Sequence, residues 1–262
     1  MTTFQDKFWG YEIDIPPNWT HKTFRDVEGF ALDPNAFKPD YVGAHLGQIL
    51  IRGEWNNTNQ SIEVLWNQHV AKLSVMMGAK RLGSAPWQMG GATGFEVEIL
   101  LPKQNRRRLW AGILEKGRVI LHFTVLHWKE TRADFEPLAT KVISSFRFVD
   151  KVSQIDTNFS GIPIIPHCVS IDPIKFINGI KEPSSWQACE VNKNVGALQA
   201  FYLREAKNYA WDIIEYNPFP NTEFGFARLK LKNEENLVTL GLMPTESKKE
   251  SSRIVIKYHK DD

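Results

Sequence analysis

The carboxylates with the most suggestive spacing are Glu96 and Glu98. They alternate with Phe95, Val97 and Ile99 in a strand-like segment, so both carboxylates project from one face. Two carboxylates on one face can act as a general acid and a general base. The alternation is more typical of a solvated strand face opposite a buried one. We therefore expect both glutamates to be exposed to solvent, without a catalytic role.

Histidines and cysteines do not form a metal-binding pattern. His122 and His127 are five residues apart, which places them on opposite faces of a strand, so they cannot share a metal ion. His69 occurs on an apolar helical face, which favours a hydrogen-bonded core residue. Cys168 and Cys189 can form at most one disulfide bond, but two isolated thiols are typical of buried small side chains. The sequence predicts no metal site and no cofactor.

Motifs for nucleotide binding and for nucleophilic catalysis are missing from the sequence. It contains no Walker-type or dinucleotide-binding glycine motif, and no nucleophile elbow. The glycines at 90, 91 and 94 precede a strand rather than a helix, so they predict a turn instead of a phosphate cradle. No catalytic residue is predicted.

A basic run at 103–108 is the first candidate for contact with a partner. Arg106, Arg107 and Arg108 lie in a predicted hairpin loop after Pro102. They can bind a phosphate, an acidic protein or RNA. The alternative is a solvated loop that protects the edge of a sheet from aggregation.

The nine tryptophans are the second candidate group. We expect most of them in the core, as for Trp66 on an apolar helix face and Trp110 within a strand. Trp55, Trp87 and Trp186 occur in loop-like segments, so they are the predicted contact residues for a protein, a sugar or a flat ligand.

The elements that must position these residues form two groups. Apolar periodicity in the first half predicts helices at 58–77 and 134–144, and strands at 11–15, 47–53, 94–101, 109–115, 119–128 and 145–149. Asn57 and Gln60 resemble a capping box for the first helix. The stretch 33–43, which is rich in proline and glycine, predicts a loop.

The second half predicts a helix followed by an antiparallel meander. Helical spacing covers 195–205, with Asn192 or Asn194 as its cap. The predicted strands are 211–216, 224–231, 237–242 and 253–259. The polar segment 151–160 lacks periodicity and suits a linker.

Length and composition set the class of protein. A chain of 262 residues predicts two domains, here 1–150 and 161–262, and the mixed elements make both α+β. A net charge of +2 gives no support for nucleic-acid binding. No segment approaches the ~20 apolar residues of a membrane span. Because the polar N terminus lacks a signal pattern, we predict a cytoplasmic protein.

The first half resembles a known family. An early strand ending in IPPNW (15–19), a long helix, several antiparallel strands and a final helix leading into SSFRF (144–148) are similar to the α/β/α sandwich of the PsbP-like superfamily. The resemblance covers residues 4–149. Members of this group are mostly binding or assembly proteins without a shared catalytic site, so the resemblance implies a fold but no site residues. The second half is assigned to no family.

These features together predict a non-enzymatic protein-binding or assembly factor. Its partner would be another protein, with no nucleic acid and no membrane span. One alternative is a small-molecule or glycan-binding protein that uses exposed tryptophans. The other is an enzyme with an unrecognised site at the domain junction. The sequence predicts neither the partner nor the oligomeric state.

Overall fold

The computed structural model contains two compact units. Unit 1 comprises Met1–Asp6 and Tyr11–Val149, and unit 2 comprises Lys7–Gly10 and Asp150–Asp262. The structure describes residues 1–24, 26–37, 47–77, 80–101, 107–127, 132–158, 160–220, 223, 225–245 and 248–259. The side chains at 76, 77, 101, 107, 108, 132 and 248–250 lie outside this description. Independent folding of the predicted domains 1–150 and 161–262 stays a prediction.

Unit 1 is built from antiparallel strands and two helices in its described part. The helices are α1 (Ile62–Met77) and α2 (Arg132–Ser144). The strands are β1 (Thr2–Asp6), β2 (Tyr11–Ile15), β3 (Thr20–Phe24), β4 (Val27–Ala31), β5 (Gln48–Trp55), β6 (Lys80–Met89), β7 (Ala92–Leu101), β8 (Arg107–Lys116), β9 (Val119–His127) and β10 (Arg147–Phe148).

The strands of unit 1 form two sheets, and helices lie on both faces of the larger one. The larger sheet has the order β3-β4-β5-β9-β8-β7-β6, and the smaller one has the order β1-β2-β10. Helix α1 packs on β7 and β8, whereas α2 packs on β9 and β2. The hydrophobic cluster under α1 contains Trp66, Val70, Val97, Ile99, Leu109, Ala111, Ile113, Ile120 and Leu126.

Most predicted elements of the first half are confirmed, but β1, β3, β4 and β6 were missed. Strand β6 forms an edge of the larger sheet, and its residues 80–86 are all exposed. It carries Lys80, Arg81 and Pro86, with an irregular register between Arg81 and Gly83. A strand without a buried face at most of its positions has no alternating pattern to detect.

The predicted capping box at Asn57 and Gln60 is wrong. Helix α1 begins at Ile62, and the backbone N–H of Val64 donates to Ser61 Oγ at 3.4 Å. The backbone N–H of Gln60 instead donates to Asn56 Oδ1 at 3.0 Å. The residues before Ser61 therefore form a turn of their own.

Unit 2 contains a six-stranded antiparallel sheet in its described part and helix α3 (Val195–Asn208). The strands, in the order β11-β12-β16-β15-β14-β13, are β11 (Val169–Ile171), β12 (Trp186–Val191), β13 (Asp212–Asn217), β14 (Ala227–Lys232), β15 (Leu237–Thr245) and β16 (Lys248–His259). The predicted meander is confirmed as β13 to β16, and Asn194 caps α3 by accepting from the N–H of Ala197 at 2.9 Å. Strands β11 and β12 were missed.

The prediction of two isolated thiols is wrong. Cys168 and Cys189 form a disulfide bond across 21 residues, with their Cα atoms 5.8 Å apart. Cys189 lies in β12 and Cys168 directly precedes β11. Because both strands were missed from the sequence, nothing indicated that the two cysteines are neighbours in space.

A buried ion pair on α3 organises unit 2. Glu205 is fully buried, and its Oε1 accepts from Arg204 Nε at 2.6 Å and from the N–H of Val152 at 3.1 Å. The Arg204 guanidinium also donates to the carbonyl oxygens of Phe8 at 3.0 Å and Lys7 at 2.6 Å. The Arg204–Glu205 pair therefore joins three separate segments of unit 2.

We expect Arg204→Met to lower the free energy of unfolding of unit 2 by about 3–5 kcal/mol, because it leaves the Glu205 carboxylate buried without its cation. Urea unfolding followed by circular dichroism measures the loss. Arg253→Met is the matched control, since Arg253 and Glu190 form a partly exposed pair with side chains 31% and 39% exposed. That variant should lose about 1 kcal/mol or less. Equal losses in the two variants would contradict the prediction.

Candidate functional site

A cleft of about 330 Å³ lies between α2 and one face of the larger sheet in unit 1. Strands β6 to β9 form its floor and α2 forms a wall. The lining residues are Trp87, Met89, Glu96, Glu98, Trp110, Val125, His127, Glu136, Ala139, Thr140, Ile143 and Ser144. The volume falls in the range of pockets that hold small ligands or side chains.

Strand β7 supplies the two carboxylates considered from the sequence. Its pleat sends Val97 and Ile99 into the hydrophobic cluster under α1, as predicted. Glu96 and Glu98 point to the other face, where they are half-buried and line the cleft. The expectation that they are fully solvated is therefore wrong, because α2 covers part of this face.

Two tryptophan rings form the aromatic part of the cleft. Trp87 on β6 and Trp110 on β8 meet edge to face, with ring centroids 5.1 Å apart and an angle of 88°. Trp110 Nε1 donates to Glu96 Oε2 at 3.0 Å, which fixes the orientation of that carboxylate. Trp87 is 8% exposed and lies within a strand, so the predicted loop context for Trp87 is wrong.

Gly112 makes room for both rings. A Cβ atom at Gly112 on β8 would lie 2.7 Å from Cζ3 of Trp87 and 2.9 Å from Cη2 of Trp110. Such contacts are too close for carbon atoms, so any larger residue would displace the rings. The shape of the cleft therefore depends on glycine at this position.

The contribution of α2 to the cleft was not predicted from the sequence. Glu136, Thr140 and Ser144 recur every four residues, beside Ala139 and Ile143. This spacing marks one side of a helix and was detectable. It carried no functional signal, because small and polar residues next to an apolar stripe are common on helix surfaces.

Within the described part of the chain, the other predicted contact residues do not line this cleft. Trp55 is the last residue of β5 and Trp186 is the first residue of β12, so their predicted loop contexts are wrong. Both are half-buried. Arg106 lies outside the described residues, and Arg107 and Arg108 begin β8, with side chains outside the description. A partner-binding role for these residues stays a prediction.

The opposite face of the sheet carries a pair of neighbouring histidines, of which His122 is buried and His69 is half-buried. His69 on α1 and His122 on β9 have ring centroids 4.7 Å apart. His122 Nε2 donates to Glu54 Oε2 at 3.0 Å. Among the described residues, neither His122 Nδ1 nor His69 Nε2 has a hydrogen-bond partner, although both atoms are buried. The prediction that His69 is a hydrogen-bonded core residue is therefore wrong. The opposite-face placement of His122 and His127 is confirmed, since His127 lines the cleft.

Burial keeps both histidines of this pair neutral. Desolvation lowers the pKa of His69 to about 3, and the nearby His122 and Arg52 add to the effect. Desolvation also lowers the pKa of His122, although its bond to Glu54 acts in the other direction. That same bond is the main cause that lowers the pKa of Glu54 to about 2. Lys72 on α1 opposes protonation of both rings.

The described residues contain neither a metal-binding cluster nor a membrane-crossing helix. No three histidine, cysteine or acidic side chains among them converge closely enough to hold a metal ion. None of the described helices has the length and apolar character that a membrane crossing requires.

The solved structures to which this chain is similar include a PsbP protein, as the sequence resemblance predicts. That protein, CyanoP from Synechocystis, shares 14% identity and a TM-score of 0.43, over 56% of this chain and 91% of that chain. LpqN of Mycobacterium tuberculosis, which is involved in cell envelope biogenesis, shares 12% identity and a TM-score of 0.43, over 56% and 90%. A protein of unknown function from Pseudomonas aeruginosa shares 12% identity and a TM-score of 0.39, over 60% and 99%. No family model and no curated protein matches the sequence. Similarity at this level carries no argument about function, which must come from the residues themselves.

The histidine pair predicts a loss of stability in mild acid. Both folded-state pKa values lie below the value of about 6.5 of an unfolded histidine, so folding favours the neutral rings. Their stabilising contribution is complete above that pH and is lost as the pH falls toward 3. We expect unit 1 to lose about 1–2 kcal/mol of unfolding free energy between pH 7 and pH 5.

A His69→Leu variant tests this origin, because it removes a titrating group from an apolar face. Urea unfolding at several pH values should show a flatter dependence in the variant than in the wild type. His167→Asn is the control, since His167 is an exposed histidine of unit 2. An unchanged slope in His69→Leu would refute the assignment.

Proposed function

We propose that this chain is a protein-binding factor whose unit 1 cleft accepts a basic side chain, lysine or arginine, of a partner protein. The observation that carries the proposal is the presence of three glutamates and two tryptophan rings in a single cleft.

The charge of the cleft favours a cation. The charged groups among its described lining residues are Glu96, Glu98 and Glu136, together with the ionisable His127, and none of these residues is a lysine or an arginine. A carboxylate can accept up to four hydrogen bonds. The bond that Glu96 Oε2 accepts from Trp110 therefore leaves this carboxylate with further acceptor capacity. Hydrogen bonds between a carboxylate and a cationic donor are about twice as strong as neutral ones.

The aromatic rings favour the same occupant. Trp87 and Trp110 stand at 88° to each other, so they present two differently oriented surfaces at the cleft. A guanidinium or ammonium group over a tryptophan face gains about 0.5–2 kcal/mol. Carboxylates and aromatic faces in combination are selective for cations over neutral polar groups.

The protein-binding role predicted from the sequence favours a partner protein as the source of the cation. The PsbP-like resemblance of the first half implies a binding or assembly role, and no catalytic motif competes with it. The enzyme alternative at the domain junction stays a prediction. The role suggested for Arg106, Arg107 and Arg108 also stays a prediction. In the pairing of β8 with β9, Arg108 lies opposite His127, which lines the cleft.

Short peptides test the proposal. We expect the wild type to bind acetyl-Gly-Arg-Gly-amide more tightly than the glutamine analogue, with an affinity that falls as salt is added. The double substitution Glu96→Gln and Glu98→Gln should weaken this binding about tenfold or more, equivalent to ~1.4 kcal/mol. Isothermal titration calorimetry and NMR of the tryptophan indole protons measure the effect.

Two further variants make this test specific. Glu63→Gln removes an exposed carboxylate on α1, outside the cleft, and should leave binding unchanged. Gly112→Ala keeps every carboxylate but displaces the tryptophan rings, and should also weaken binding. The proposal fails if the arginine and glutamine peptides bind alike, or if the double glutamine variant binds as well as the wild type. Binding of free arginine without any preference for the peptide would point to a small-molecule receptor instead.

The cytoplasmic location predicted from the sequence stays a prediction, and the disulfide bears on it. Most cytosolic thiols are kept reduced, whereas disulfides persist in oxidising compartments. We expect Cys168 and Cys189 to resist thiol labelling when native cells are lysed in the presence of an alkylating reagent. Mass spectrometry counts the labels. Two alkylated cysteines would support the cytoplasmic assignment and contradict this expectation.

A further inference from the structure

Unit 2 contains a second cleft, of about 480 Å³, with walls that differ in chemistry from those of the first. Strands β11, β12 and β16 contribute to it, together with the segment before β11 and Tyr202 of α3. Its lining residues are Asn158, Pro163, Ile164, Ile165, Cys168, Ser170, Ile171, Pro173, Trp186, Gln187, Ala188, Cys189, Tyr202, Ile254 and Ile256.

The position of α3 explains why this cleft exists. The helix packs on β13, β14 and β15. At the other end of the sheet, the cover comes from the segment 160–168, which contributes Pro163, Ile164 and Ile165. Ile164 is 39% exposed, so this cover is incomplete. A cleft remains beneath it.

The lining of the second cleft selects a neutral ligand. None of its lining residues is charged. Asn158, Gln187 and Tyr258 are hydrogen-bonded to one another, since Asn158 Nδ2 donates to Tyr258 Oη at 2.6 Å and Tyr258 Oη donates to Gln187 Oε1 at 2.9 Å. The Lys257 ammonium lies 5.4 Å from the centre of the Trp186 ring and is not part of the lining. An ion would therefore lose its hydration without meeting a counter-charge among the lining residues. Isoleucines and the Trp186 ring offer an apolar surface instead.

The disulfide bond is part of the wall of this cleft. Cys168 and Cys189 both line it, and the bond joins the covering segment to β12. Strand β11, which follows Cys168, has only three residues and pairs with β12 alone among the described strands. Three paired residues provide few hydrogen bonds, so the covalent link adds a constraint that helps to keep this wall in place.

We propose that the second cleft is a binding site for a small, neutral, largely apolar molecule, and that the Cys168–Cys189 disulfide keeps the site formed. Aromatic and branched aliphatic compounds with few polar atoms match its volume and its lining. Reduction of the disulfide releases the wall and lowers the affinity. This site and its ligand class are independent of the cation cleft in unit 1.

The neutral fluorescent probe N-phenyl-1-naphthylamine tests the proposal on the full chain, because its emission rises in apolar surroundings. We expect saturable binding of one probe per chain. Ser170→Trp fills the cleft from an exposed position on β11 and should abolish the signal. Reduction with a phosphine, or the double substitution of Cys168 and Cys189 by alanine, should raise the Kd at least tenfold.

An exposed isoleucine outside the cleft provides the matched control. Ile214 on β13 is 53% exposed and does not line the site, so Ile214→Ser should bind the probe as the wild type does. Circular dichroism shows whether each variant and the reduced protein stay folded. The binding site is overturned if the wild type shows no saturable binding, or if Ser170→Trp binds normally. The role of the disulfide is overturned if the folded, reduced protein binds the probe with unchanged Kd.

Discussion

The pleat of the larger sheet is the constraint on which the chemistry of unit 1 depends. Each strand presents alternate residues to two layers of different character, so Val97 and Ile99 meet α1 while Glu96 and Glu98 meet the cleft. A shift of β7 by one residue would place carboxylates in the hydrophobic cluster and apolar side chains in the cleft. The burial of the α1 face therefore fixes the position of the carboxylates on the other face.

A mismatch between helix width and sheet width accounts for both clefts. A helix with its side chains is about 10 Å wide, whereas neighbouring strands are about 4.8 Å apart, so one helix covers two or three strands. Helix α2 packs on β9 in a seven-stranded sheet, and α3 packs on β13 to β15 in a six-stranded one. The strands that each helix does not cover must pack against another segment of the chain. Where that segment covers them only in part, a cleft results.

The sequence predicted the α+β class, α1, α2, α3 and the strands with a continuous apolar face. It failed where the signal depends on partners distant in the chain. Trp87 and Trp186 looked like loop residues because glycine, serine or proline lies close to each of them, although both belong to strands. The disulfide was missed because it requires β11 and β12 to be neighbours. The acidic character of the first cleft emerges only when α2 is placed beside β7, which no local pattern specifies.

Strand β6, the outermost strand of the larger sheet beside the first cleft, bears on how a partner can approach. The N–H and C=O groups along one side of an edge strand are open to pairing with a strand from another molecule. The charges of Lys80 and Arg81, the irregular register near Gly83 and the missing N–H of Pro86 all oppose such pairing. A partner of the proposed cleft would thereby be directed away from main-chain strand addition, which is tolerant of sequence, and toward side-chain recognition at the sheet face. Strand β6 therefore opposes edge-to-edge pairing with other β-rich proteins.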